Sequence, residues 1–430
     1  MQAVILAAGL GTRLRPFTEN FPKPLLQVAG RELLYRHLHL LSQGGINHFI
    51  IIINPQHERF YREFLARYPH FSCTLVKNPF PEKGNGYSFF LAKDYVSTPF
   101  ILTMGDHVYE RDFVKKALGL KGLVIDKEGR FIDPQEATKA LCQKGKIISL
   151  GKDLSSYTGF DTGFFILEPE IFYVAEKLIR QKSEISLSGI MEKAKIPCSE
   201  LSGLFWMDID TPKDLKQATK FLVKTAVKGG EDGFISRLIN RRVSTWCSTF
   251  FINYLSPNMA TLLTTLLGFL AALLLFWSPK IAVLLYQLSS MLDGMDGEIA
   301  RASLRESPFG GWLDSVLDRF VDFAFLLGLY LILKPAYPWQ QTIALLAFFG
   351  SVMVSYTSER YKGAFGRTIY ADYPFLRKVP GKRDERVFFI MISVLLDWLW
   401  EIFWVLAFIT NLRVLLTLFL VGKRGSKLKE

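Results

Sequence analysis

The chain has 430 residues, room for two or three domains; half are hydrophobic, including 36 Phe and 8 Trp, and the formal net charge is +12. Such a charge suits either nucleic-acid binding or a cytoplasmic membrane face that handles phosphate-bearing substrates. No basic arm interleaved with aromatics is present, which excludes the usual nucleic-acid modules. The four cysteines, Cys73, Cys142, Cys198 and Cys247, show no C-x-x-C spacing, so neither a zinc site nor a disulfide framework is expected, and a reducing compartment fits. Up to about residue 225 the sequence reads as soluble α/β, and from about 255 as polytopic membrane protein with apolar runs near 20 residues. The opening MQAVILAAGL lacks a basic n-region and a cleavage site, and so predicts a buried first strand rather than a signal peptide.

That strand, Gln2 to Ala7, leads into Gly9-Leu10-Gly11-Thr12-Arg13, with Pro22-Lys23-Pro24 ten residues on. Glycines after a strand let backbone N–H groups close round phosphates, and Arg13 and Lys23 add charge for a transferring phosphoryl group. Helix-like and strand-like segments then alternate through Glu32–Gln43, Phe49–Asn54, His57–Tyr68, Cys73–Lys77, Tyr87–Tyr95 and Phe100–Met104. This order predicts βαβ units and a doubly wound, Rossmann-like α/β sheet, with ligands beyond the carboxyl ends of its strands. The G-x-G-T and P-K-P pair resembles the fingerprint of the sugar-nucleotidyltransferase superfamily. The resemblance implies nucleotide contacts at Gly9, Gly11 and Thr12, and at Asn85, Gly86 and Ser88 in a base-receiving segment. It further implies catalytic roles for Arg13 and Lys23, and metal ligation by Asp106 and by Asp208 of the W-x-D-x-x-T-P-like element. Asp210 fits an N-cap before the helix at Lys213, a role open to Asp208 as well. Lys152 falls where related enzymes contact a sugar phosphate, or is a solvated lysine; Thr162-Gly163-Phe164 resembles a strand lining the acceptor pocket, or is plain core. The six histidines show no ligand spacing and receive no role.

A linker at 228–233 and an amphipathic segment, Phe234 to Tyr254, follow. The segment is expected to lie on the membrane surface with Arg237, Arg241 and Arg242 at the headgroups, or to couple the two halves. Six spans are expected near 257–277, 281–302, 313–333, 340–359, 386–401 and 403–421. The basic link between Glu359 and Arg386 and the basic tail (Lys423, Arg424, Lys427, Lys429) put both termini in the cytoplasm by the positive-inside rule, in a multi-pass inner-membrane protein. The domains are thus 1–227, 228–254 and 255–430.

Within the membrane half stands Asp293-x2-Asp296-Gly297-x2-Ala300-Arg301, then Gly310-x3-Asp314-x3-Asp318. Ionisable groups at membrane depth cost several kcal/mol each and so rarely lack a task. The helical spacing gathers each set on one face, and facing carboxylates suit hard cations such as Mg2+ or Mn2+. The pattern fills every position of the signature of the CDP-alcohol phosphotransferase family. That resemblance implies metal ligation by Asp293, Asp296 and Asp314, with Asp318 as general base or second-metal ligand. It also implies CDP-alcohol contacts at Asn258, Thr261, Gly297, Ala300, Arg301 and Gly310, and a homodimer through the membrane domain. Arg360, Lys382, Arg383 and Arg386, together with Lys152, are candidates for the acceptor phosphate.

The domain order resembles enzymes that make CDP-inositol from CTP and inositol 1-phosphate and then consume it. This implies Mg2+ or Mn2+ at both sites and inositol 1-phosphate as both substrate and acceptor. A lipid acceptor in the bilayer is the alternative, and a mere anchor or transporter the rival from another class.

Overall fold

The computed structural model describes residues 1–9, 11–181, 184–227 and 233–427, so all of the predicted linker at 228–233 except Gly233 lies outside it, as do the side chains of the tail beyond Lys423. The chain forms two compact units, Met1–Leu222 and Val223–Glu430.

In the first unit, strands β1 (Gln2–Ala7), β2 (His48–Ile53), β3 (Cys73–Lys77) and β4 (Phe100–Met104) are the parallel part of the sheet, in the order β4-β1-β2-β3. The near-continuous apolar runs of β1, β2 and β4 are buried, as inner parallel strands require, while edge strand β3 is mostly half-buried; helices α1 (Leu33–Gln43), α2 (Glu58–Arg67), α3 (Asn85–Phe90) and α4 (Arg111–Ala117) connect and follow these strands. Beyond β4 the sheet turns antiparallel. A small strand β5 (His107–Tyr109) precedes β6 (Gly122–Asp126), β7 (Lys139–Gln143), β8 (Lys146–Gly151) and β9 (Gly159–Leu167). β9 pairs with β4, β6 and β7, so the sheet is mixed rather than built of βαβ units throughout. α5 (Ile171–Ile179) and α6 (Leu187–Ala194) cover one face, where Phe172 stacks on Phe89 (4.8 Å) and Phe100 (5.6 Å). β10 (Cys198–Glu200) joins β6, and β11 (Trp206–Asp208) pairs with β5 before α7 (Pro212–Thr225).

The cysteine expectation is corrected here: Cys142 on β7 and Cys198 on β10 form a disulfide across 56 residues, while Cys73 and Cys247 are free. The sequence hides this pair because only the fold brings β10 to the β7–β8 hairpin, where Cys198 N–H donates to the Gly145 carbonyl (3.0 Å). Closing a loop of this length stabilises by about 4 kcal/mol through the unfolded chain's lost entropy. Cys142→Ser should therefore lower the urea midpoint of this unit by the equivalent of that figure and leave the second unit's unchanged.

The second unit is helical: α8 (Arg241–Phe251), α9 (Pro257–Leu274), α10 (Pro279–Leu292), α11 (Gly294–Ala302), α12 (Pro308–Leu333), α13 (Pro338–Phe365), one-turn α14 (Ile369–Asp372), α15 (Arg383–Leu395) and α16 (Glu401–Lys427). Its core joins Ala271, Tyr286, Phe325, Leu329, Val394 and Phe403 from five of these helices. Among the described residues three helices are long and apolar enough to cross a membrane: Pro257–Leu274, Pro338–Phe365 and Glu401–Lys423. The expected spans at 281–302, 313–333 and 386–401 are helical but different in kind. The first is interrupted at Asp293, the second carries Asp314, Asp318, Arg319 and Asp322, and the third has 13 residues, about 20 Å against a hydrocarbon core of about 30 Å. α9 turns Leu262, Leu266, Leu270 and Leu273 outward, a stripe that fits lipid rather than water.

In the amphipathic segment Arg237 and Arg242 are exposed, whereas Arg241 turns inward. α8 buries Ser244 and Ser248, which donate to Glu298 of α11 (2.7 and 2.8 Å), and Arg241 pairs with the same carboxylate (3.2 Å). Trp246, Phe250 and Tyr254 face outward. The reason is Glu298: fully buried, it needs these partners, so the polar face of α8 is drawn inward.

Candidate active sites

In the first unit, buried Lys23 donates through Nζ to Asp106 Oδ2 (2.8 Å) and Asp210 Oδ1 (2.7 Å), and Arg13 Nη1 donates to Asp210 Oδ2 (2.7 Å). Glu136 Oε2 stands 3.6 Å from both Arg13 Nη1 and Lys152 Nζ. One network therefore joins Arg13, Lys23, Lys152 and Asp106, drawn from four separate stretches. Its hub is Asp210, which sequence reasoning assigned to a helix cap. The cap contacts are instead made by Thr211 and Asp214: Thr211 N–H donates to Asp214 Oδ2 (2.6 Å), and Asp214 N–H to Thr211 Oγ1 (3.3 Å). Asp208 sits opposite His107 in the β5–β11 pair, and Ile209 N–H donates to the Asp106 carbonyl (3.0 Å), which fixes the two aspartate segments side by side.

His107, given no role from its spacing, bonds through Nδ1 to Asp106 Oδ1 (2.9 Å). Burial works against charge on Asp106, but Lys23 and His107 outweigh it and hold the carboxyl well below its usual range. Burial likewise opposes charge on Lys23, yet Asp106 and Asp210 keep it above its ordinary value. Burial raises Asp208, His107 opposes the shift, and Asp210 and Asp106 add to it. Gly163 has φ 68°, and a Cβ there would lie 2.7 Å from His107 Nε2, so this position of β9 admits only glycine. Thr162 is buried and donates to the Val124 carbonyl (2.7 Å).

The nucleotide-contact candidates are more dispersed. Gly9 is open and Thr12 begins a 3-10 turn after Gly11. Asn85 Oδ1 accepts from Leu187 N–H (2.7 Å), Gly86 N–H donates to the Ile185 carbonyl (2.9 Å), and buried Ser88 accepts from Asn78 Nδ2 (2.8 Å). The first two hold the start of α3 against the segment that opens α6, and the third ties α3 to the loop after β3.

Burial pulls the His37 imidazole down to about 4, with Nε2–H donating to the His107 carbonyl (2.9 Å). An unfolded histidine titrates near 6.5, so between pH 6.5 and 4 the unfolded chain takes up a proton that the folded one refuses. This contribution is fully present above pH 6.5 and falls by about 3 kcal/mol on acidification to pH 4. In urea titrations of the full chain, His37→Asn should lose that much less stability over the range; an equal loss contradicts the assignment.

In the second unit, Asp293 lies between α10 and α11, Asp296, Gly297, Ala300 and Arg301 on α11, and Gly310, Asp314 and Asp318 on α12. Carboxylate oxygens of Asp293, Asp314 and Asp318 lie within 4.8 Å of one another, a set of hard oxygen ligands that fits a divalent cation. Asp318 thus stands within the cluster. Asp296 stands beside Asp314 in the same cavity, its Oδ2 accepting from Thr261 Oγ1 (2.6 Å) and its Oδ1 from Gly297 N–H. Ser256 caps α9 through the Met259 N–H and Pro257 opens its first turn, so the Pro257–Thr261 element both starts the helix and reaches Asp296.

A cavity of about 900 Å³ is lined by Asn258, Thr261, Asp296, Gly297, Ala300, Arg301, Gly310 and Asp314. It contains every residue expected to touch a CDP-alcohol. A Cβ on Gly297 would lie 2.9 Å from Arg301 Nη1, so glycine keeps room for that guanidinium. A second cavity of about 280 Å³ is lined by Asp293, Lys382, Arg383 and Arg386; Arg319 and Glu359 line both. Arg383 Nη1 reaches Asp293 Oδ1 (2.9 Å) and Asp318 Oδ1 (3.2 Å). Lys382 Nζ lies 4.7 Å above the Tyr370 ring, buried Arg386 bonds Asp322 Oδ2 (3.0 Å) and the Gly381 carbonyl (3.0 Å), and Arg360 is exposed and lines neither cavity. Asp322 escaped sequence reasoning, although it continues the Asp314-x3-Asp318 spacing by one more helical turn.

Residues 2–119 match the family described as Nucleotidyl transferase, and residues 254–420 the family described as CDP-alcohol phosphatidyltransferase. The chain is 51% identical over 98% of its length to "Bifunctional IPC transferase and DIPP synthase" of Aquifex aeolicus (strain VF5), covering 98% of that protein. It is 49% identical to the protein of the same description from Thermococcus kodakarensis, over 99% of this chain and 98% of that one. With the Archaeoglobus fulgidus protein so described the identity is 47%, over 98% of this chain and 84% of that one.

Proposed function

Because the chain belongs to the family of bifunctional IPC transferases and DIPP synthases, we propose that it performs two phosphoryl-group reactions in sequence, one in each unit. The observation that carries this reading is the near-full-length identity to a bifunctional enzyme, with an Arg13–Lys23–Asp106 network in one unit and the Asp293–Asp314–Asp318 cluster in the other.

In the first reaction a phosphate oxygen of L-myo-inositol 1-phosphate attacks the α-phosphorus of CTP, the bond from that phosphorus to the bridging oxygen breaks, and diphosphate leaves. Arg13 and Lys23 donate to the charge that develops on the departing diphosphate. Lys152 receives the acceptor's phosphate, a role that its approach to Arg13 through Glu136 supports. Gly9, Gly11, Thr12, Asn85, Gly86 and Ser88 shape the nucleotide side. In the second reaction a hydroxyl of another inositol 1-phosphate attacks the β-phosphorus of CDP-inositol, and CMP leaves with the bridging oxygen. Asp318 accepts the hydroxyl proton. Asn258, Thr261, Gly297, Ala300, Arg301 and Gly310 bind the CDP-alcohol. Arg383 grips the acceptor phosphate, and Lys382, Arg386 and exposed Arg360 add positive charge on the same side.

Asp106 and Asp208 would hold Mg2+ or Mn2+ in the first unit, and Asp293, Asp296, Asp314 and Asp318 in the second. Such ions neutralise phosphate charge when bound. The second unit is read as a six-helix membrane domain forming a homodimer in the inner membrane, with the basic 360–386 link, the first unit and the C-terminus cytoplasmic. The first unit is read as a doubly wound nucleotidyltransferase domain, and the mixed sheet with its parallel β4-β1-β2-β3 core supports that.

A labelled-acceptor partition assay separates a soluble acceptor from a lipid one. With inositol 1-phosphate labelled in the ring and the protein in lipid nanodiscs, label from the second reaction is expected in the aqueous phase. Recovery in the organic phase would overturn the soluble-acceptor reading.

A further inference from the structure

One nitrogen of Arg383 bonds two of the carboxylates that converge on one another. Nη1 lies 2.9 Å from Asp293 Oδ1 and 3.2 Å from Asp318 Oδ1, two of the three carboxylates clustered for metal. A divalent ion bound by the same carboxylates competes with the guanidinium for their negative charge and weakens that contact. The guanidinium does not depend on it for its position, because Nε is bound separately to Asp322 Oδ1 (3.0 Å). Asp322 is itself fixed by Arg386 Nη2 on its other oxygen (3.0 Å) and by the Tyr286 hydroxyl (2.8 Å). The side chain is therefore anchored at one edge and committed to the aspartates at the other, and the second edge borders the 280 Å³ cavity that Lys382 and Arg319 also line.

We propose that Arg383 couples the two ligands of this site. Without a divalent cation it neutralises Asp293 and Asp318; with the carboxylates loaded, its free edge is released, still anchored by Asp322, to bind a phosphate monoester in the adjoining cavity. Metal and acceptor then favour each other, because the anion finds a free guanidinium only once the aspartates have another counter-charge. Asp322 is the positioning residue, and the three groups it holds explain a buried carboxylate outside the eight-position signature. The inference rests on the reading of Asp293, Asp314 and Asp318 as the metal site.

The test measures Mn2+ affinity of the full chain in detergent by electron paramagnetic resonance, in an Asp106→Asn/Asp208→Asn background that removes the first unit's ligands. Saturating inositol 1-phosphate should tighten Mn2+ binding at least about fivefold, since linkage makes the coupling reciprocal. Arg383→Gln should bind Mn2+ more tightly than its parent without acceptor, and the acceptor should then change that affinity less than twofold. Asp322→Asn should bind Mn2+ with the coupling likewise lost, an independent check should Arg383→Gln fold poorly. Equal Mn2+ affinity with and without acceptor in the parent, or undiminished coupling in Arg383→Gln, overturns the proposal. If Asp314→Asn leaves Mn2+ binding unchanged, it is the metal reading that fails instead.

Discussion

Asp314→Asn is expected to cut CMP release from CDP-inositol by about a thousandfold or more, while diphosphate release from CTP and inositol 1-phosphate stays at its parent rate. The size follows from the chemistry. Asp314 contributes one of three carboxylates whose oxygens converge within 4.8 Å, and it also lines the large cavity beside Asp296. Losing its charge would weaken the grip on a divalent cation, which would supply several kcal/mol of charge neutralisation, and each 1.36 kcal/mol is tenfold in rate. The selectivity follows from architecture, because no residue of the first unit belongs to that cluster. Parallel loss of both activities would contradict two separate sites.

Lys23→Met is expected to produce the mirror image. Diphosphate release should fall between about a hundredfold and a thousandfold, the usual effect of deleting one preorganised donor to developing charge. CMP release from supplied CDP-inositol should be unaffected. Lys23 is buried and holds Asp106 and Asp210 through contacts of 2.8 and 2.7 Å, so its removal also sets two carboxylates against each other in the site proposed to take the nucleotide. Full retention of diphosphate release in Lys23→Met would remove Lys23 from the machinery.

How much of this was legible depended on whether chemistry was written in local spacing. The i, i+3 and i, i+4 intervals from Asp293 to Arg301 and from Gly310 to Asp318 name residues that one helix face must share, and α11 and α12 present them so. The short apolar runs likewise name β1, β2 and β4, because strands buried on both faces read as such runs. Three features lay beyond local spacing. Asp210 reads as a helix cap until α7 and β11 bring it to Lys23 from 187 residues away. Cys142 and Cys198 are neighbours only through the pairing of β6 with β10 and the β7–β8 hairpin. Arg383 looks like any positive-inside residue until its helix is packed on α10, where Asp322 and Asp293 both meet it. The inward turn of Arg241 has the same origin: nothing in the sequence of α8 itself announces that Glu298 will be buried beneath it.

The most direct test of the central claim is a time course of diphosphate and CMP from the purified full chain, given only CTP, L-myo-inositol 1-phosphate and Mg2+ in detergent without added lipid. The account predicts that diphosphate appears first, CMP follows after a lag, and the two totals converge to equality. Diphosphate that accumulates with no CMP, or CMP that appears only when a lipid acceptor is supplied, contradicts it.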